Sequence, residues 1–223
     1  MQARRVDAAT AALEPASTGG VDELGAAGFR SIADAYVATI ATELGRLDLD
    51  AVLRVVARLR VARDAGSLVF IAGNGGSAAT ASHWVNDLGK ATRRSGRASF
   101  RVIGLADNIP WFSALANDEG YDRVFAGQLE NLARPRDVLM VISASGNSPN
   151  LVRAVDYARE SAIVTIGLLG FDGGRLLSRV DEAVWIPTPI GAYGPVESLH
   201  SIVCDIVTSC LAEDHRIDSL GEP

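Results

Sequence analysis

His83 and Asp87 stand four residues apart, the spacing that sets two side chains on one face of a helix. An imidazole beside a carboxylate can share proton transfer at one reacting centre. Near the far end of the chain, Glu197, His200 and Asp205 crowd a second helical stretch with further ionisable groups. Two hydroxyl-rich turns lie between. IAGNGGSAATASH carries Gly73, Asn74, Gly75, Gly76 and Ser77, and ISASGNSPN carries Ser143, Ser145 and Ser148 around Gly146. Each turn follows a short apolar run and precedes a helical pattern, so free backbone N–H groups and the positive helix end meet serine hydroxyls. Such a cradle can hold a phosphate dianion without any cation. The first turn lacks the Gly-Lys-Ser/Thr ending of a nucleotide loop and the third spaced glycine of a dinucleotide fingerprint. The same residues also fit plain tight connections, with Ser148 serving only as a helix cap.

The elements that must position these groups follow from periodicity. Apolar residues at helical spacing predict helices over about 26–46 and 49–65, the second with Val52, Val55, Val56 and Leu59 inward. Leu68 to Ala72 is a continuous apolar run, as expected of a strand buried on both faces. Strands are likewise expected at 100–105, 138–142, 163–168 and 182–186, alternating with helices up to a terminal one over about 195–213. This alternation predicts an α/β fold with a three-layer, doubly wound, mostly parallel sheet. Ligands of such sheets collect at the carboxyl ends of the strands, so two loops on that edge make one shared site.

Composition narrows the classes. With 223 residues, 48% of them hydrophobic, the chain suits one substantial domain. We expect a mobile arm over 1–24, the domain over 25–215 and a short tail over 216–223. The formal charge of −6 argues against a broad nucleic-acid footprint, and Arg93, Arg94 and Arg97 read as a solvated loop. No apolar run is long enough to cross a bilayer, and the first residues lack the apolar core of a signal peptide. Cys204 and Cys210 fall on different faces of one helix, so no disulfide is expected, and a cytoplasmic setting is.

GNGGSAATASHWVNDLGK, ANDEGYDRVF, ISASGNSPNLVRAVDYAR, GLLGFDGGRL and VESLHSIVCDIV resemble, in order, the motif series of the sugar isomerase (SIS) family, and within it of the phosphoheptose isomerases. The resemblance covers about 30–212. It implies the flavodoxin-like SIS fold, N-terminal helices for oligomerisation and a homotetramer with sites at subunit boundaries. It further implies an aldose-ketose isomerase, most simply sedoheptulose 7-phosphate to a heptose 7-phosphate through an enediol. Ser77, Ser143, Ser145 and Ser148 would contact phosphate or hydroxyls, with Gly75 in the cradle and Asn74 and Asp118 on the sugar. Ala144 departs from the family's usual Thr. Asp87 stands where relatives carry a Glu base, Glu197 where they carry Gln, and Asp205 where they carry the catalytic His. Asp87 as base, with Asp205 or Glu197 as second acid-base group, is the assignment that follows. Some relatives suggest zinc at this set, so His83, Asp87, Glu197 and Asp205 form a candidate site for zinc or another divalent metal. Lys90 reads as a lone exposed side chain, with neutralising substrate charge as its alternative, and His200 reads as structural. The three departures also suit a non-catalytic phosphosugar-binding or partner-binding regulator on the same scaffold.

Overall fold

The computed structural model describes residues 23–220, with side chains over 25–216. The arm expected over 1–24 lies almost wholly outside the described residues. Two compact units divide the chain, Met1–Val37 and Ala38–Pro223. The described part of the first unit is the opening of helix α1 (Glu23–Leu44), which carries an exposed Arg30–Asp34 ion pair of 2.9 Å.

The second unit holds the sheet. Helix α2 (Leu49–Asp64) starts where the Asp48 carboxylate accepts the Ala51 amide at 2.9 Å, and it buries Val52, Val55, Val56 and Leu59 as the periodicity predicts. Strands β1 (Leu68–Gly73), β2 (Arg101–Gly104), β3 (Val138–Ser143), β4 (Val164–Leu169) and β5 (Glu182–Trp185) form a parallel sheet in the order β2-β1-β3-β4-β5. Every residue of β3 is buried, which explains why the sequence shows an unbroken apolar run there rather than alternation. Helix α3 (Gly76–Asn86) joins α2 and the terminal helix α7 (Tyr193–Leu220) in a core on one face of the sheet, around Trp84, Leu88, Val196 and Val203. Helices α4 (Ile109–Asp118), α5 (Ala126–Leu132) and α6 (Pro149–Glu160) cover the other face, around Phe70, Phe125, Leu139 and Val155. This is the expected three-layer α/β architecture.

Two details differ from expectation. The end of α3 widens into a π turn over Asp87–Ala91, and α7 runs to Leu220, past the helix end expected at about 213. The Arg loop is not simply solvated either. The Arg97 guanidinium lies 3.0 Å from Asp214, whose side chain is 3% exposed, and buried Arg63 reaches the same carboxylate at 2.9 Å. Among the described residues no helix is long and apolar enough to cross a membrane.

Candidate active site

The order 2-1-3-4-5 reverses direction between β1 and β3, so the loops that follow these two strands open side by side at the carboxyl edge. A cavity of about 130 Å³ lies there, lined by Asn74 and Ser77 from the first loop and Ser143, Ala144, Ser145 and Ser148 from the second. Tyr193 and Glu197 of α7 also line it. Among the described residues no cationic side chain does, so an anion there would depend on hydroxyls and helix-end amides, as the sequence suggests.

Loop shape follows from glycine. Gly146 has φ +62° and passes so close to the Gly173 carbonyl that a Cβ would stand 2.0 Å from its oxygen. That contact locks the serine loop onto the turn after β4. The Ser143 hydroxyl accepts the Gly146 amide at 3.0 Å, which folds the loop over and leaves the Ser143 proton available as a donor. Ser148 occupies the cap position of α6 without making a capping hydrogen bond, so a role solely as a cap does not account for it. At the first loop, Gly75 takes φ +55° just ahead of α3. The Glu197 carboxylate leans on Gly76, where a Cβ would meet its Oε2 at 2.4 Å. A carboxylate at the first turn of a helix is electrostatically favoured. Glu197 thus places a negative charge beside the first turn of α3.

The expected acid-base groups gather less tightly. His83 Nε2 is 3.5 Å from Asp87 Oδ2, as the i, i+4 spacing requires, with His83 well exposed. Asp87 and Asp205 both lie near Cys204 of α7. Burial first, then the nearby charges of Asp205 and Asp87, push the Cys204 thiol well above its usual value. None of His83, Asp87 and Asp205 lines the cavity itself, and neither does Asp118, an exposed residue at the end of α4 whose carboxylate accepts from Asn117 at 2.7 Å. Among the described residues no three His, Cys, Asp or Glu side chains converge to hold a metal ion. The set His83, Asp87, Glu197 and Asp205 therefore does not fit a metal as placed. Lys90 is exposed.

Sequence reasoning passed over three residues. Tyr193 gives no signal in the chain. Asn150 and Tyr121 bond to Asn74, and only their place inside the quoted motifs marks them.

His200 is fully buried on α7, and burial lowers its pKa to about 4, partly offset by the Leu169 carbonyl. The folded chain thus resists protonating it. Its contribution is complete above the unfolded value near 6.5 and is lost as pH falls toward about 4. Between pH 7 and 4.5, urea unfolding should show the unaltered chain losing roughly 2–3 kcal/mol more than His200→Leu. Equal losses would contradict a neutral buried imidazole.

Comparison with known proteins agrees with the geometry. The SIS domain family model matches residues 34–170. The phosphoheptose isomerase of Pelobacter propionicus is 42% identical over 149 residues, covering 66% of this chain and 78% of the relative. That of Geotalea daltonii is 38% identical over 165 residues, covering 73% and 85%. Among solved structures, the phosphoheptose isomerase of Neisseria gonorrhoeae superposes with a TM-score of 0.74 at 25% identity, covering 82% of this chain and 97% of that one. The enzyme from Francisella tularensis gives 0.76 at 22% identity, covering 83% and 97%, a likeness of fold. A shared motif series, a matching family model and the 2-1-3-4-5 sheet with paired loops at its switch point place the chain in the SIS-domain family, among the phosphoheptose isomerases.

Proposed function

We propose that the chain isomerises sedoheptulose 7-phosphate to a heptose 7-phosphate, with the phosphate seated on the α6 loop. The observation that carries this reading is the cavity where Ser77, Ser143, Ser145 and Ser148 face one another at the carboxyl edge. Their hydroxyls and the α6 amides supply donors for a dianion, while Glu197 at α3 disfavours a second anion and so gives the site one phosphate end.

The reaction needs a base to take the proton from C1 of the ketose, with the electron pair forming the C1–C2 double bond of an enediol. The C2 oxygen gains a proton, the C1 hydroxyl loses one, and a proton is returned to C2. Asp87 is assigned the carbon proton, with Asp205 or Glu197 serving the oxygens. Asp87 and Asp205 do not line the serine cavity of the single chain, which supports a homotetramer with sites at subunit boundaries. The apolar residues exposed on α1 (Phe29, Ile32, Val37) and on α2 (Leu49, Leu53, Val61) offer surface for such assembly. Free Cys204 and Cys210 suit a cytoplasmic location.

The test is sedoheptulose 7-phosphate in deuterated water, followed by NMR. Aldose product with deuterium at C2 is expected. Binding of the phosphosugar without product would replace this reading by that of a regulator.

A further inference from the structure

One hydrogen-bond chain crosses from the serine loop to the glycine loop and fixes which end of a site amide faces the cavity. The Leu151 amide of α6 lies 2.9 Å from Asn150 Oδ1, besides its contact with the Ser148 carbonyl. A donor at that distance must face an oxygen, so the Asn150 amide has one orientation. Its Nδ2 then points at Asn74 and is 2.8 Å from Asn74 Oδ1, and Asn74 Nδ2 returns a hydrogen bond to Asn150 Oδ1 at 3.0 Å. Tyr121 Oη, 2.9 Å from Asn74 Oδ1, must be the donor there. Both lone pairs of Asn74 Oδ1 are thereby engaged. Its remaining polarity is one N–H. Asn74 lines the cavity, whereas Asn150 is 1% exposed and does not.

We infer that Asn150 is a positioning residue that sets the polarity of Asn74, so that the first loop offers the phosphosugar a hydrogen-bond donor and not a carbonyl. The inference rests on the proposed phosphosugar site. A reversed Asn74 would set its oxygen against Asn150 Oδ1 and its NH2 against Asn150 Nδ2, two mismatches in a half-buried pair. Orientation is therefore decided in the second loop and read out in the first.

Two variants test this. Asn150→Leu removes the pair, and KM for sedoheptulose 7-phosphate should rise about tenfold with kcat within about threefold, as for one lost hydrogen bond. Asn150→Asp retains the acceptor. When ionised it sets an oxygen against Asn74 Oδ1, and when protonated it can donate as the amide does. Its KM, divided by that of the unaltered chain at each pH, should fall as pH is lowered through this carboxyl's titration. A merely structural role would lower the melting temperature of both variants and leave that ratio flat with pH.

The side-chain amide of Asn74 provides a readout that needs no sugar. In the unaltered chain, NMR should resolve one slowly exchanging Asn74 amide proton, lost in Asn150→Leu. An Asn74 signal indifferent to Asn150→Leu overturns the positioning role. An unaltered chain inert toward the sugar, with the Asn74 signal behaving as stated, overturns the substrate assignment instead.

Discussion

Asp87→Asn should lower kcat for sedoheptulose 7-phosphate by roughly 10²–10⁴-fold, the usual worth of a placed general base. It should leave binding of the sugar within about threefold, because the cavity is lined by serines, Asn74, Tyr193 and Glu197 and not by Asp87. Asn is nearly isosteric and can still face His83 at the 3.5 Å spacing, so the helix has no reason to rearrange. Deuterium uptake at C2 should vanish together with turnover, since both need the same proton abstraction. Full activity in this variant would transfer the base to Asp205 or Glu197, and their Asn and Gln variants would then be compared by the same assay.

Asp214→Asn should destabilise the fold by about 3 kcal/mol or more, the range for breaking one side of a buried ion pair. The Asp214 carboxylate, 3% exposed, receives Arg63 at 2.9 Å, Arg97 at 3.0 Å and Arg60 at 3.3 Å. Arg63 is itself 2% exposed and stacks 5.7 Å from the centre of the Phe100 ring. Burial works against its charge, yet hydrogen bonds to Asp64 and Asp214 hold it above its usual value. Without Asp214, Arg63 retains exposed Asp64 as its one carboxylate partner among the described residues, besides the Phe100 ring. Urea unfolding at neutral pH measures the loss, and Arg63→Met in the same chain should recover most of it by removing the stranded charge. A loss under about 1 kcal/mol, or no recovery, would mean that the cluster is solvated in solution.

Much of this molecule was legible in one dimension. Buried parallel strands need apolar runs on both faces, so Leu68–Ala72 and Val138–Ile142 announced themselves, and glycine and serine after each run marked the loops. The i, i+4 spacing alone put His83 beside Asp87. Those signals are local: they depend on side-chain period, backbone freedom and helix ends. Other features have no local signal. The Arg97 contact with Asp214 joins residues more than a hundred positions apart, and charge runs look alike whether solvated or paired. The same holds for Glu197, which rests against Gly76, and for Tyr193 in the cavity wall. Asn74 and Asn150 belong to loops separated by a full crossover, and they pair only because β1 and β3 are neighbours in the sheet. The sequence determined the layers, the strand-end loops and the hydroxyls within them. Tertiary structure decided which strands are adjacent, and with that which loops share a cavity, which carboxylate lies beside the first turn of α3 and which amide atoms of Asn74 are engaged by Asn150 and Tyr121, because each depends on packing between distant segments.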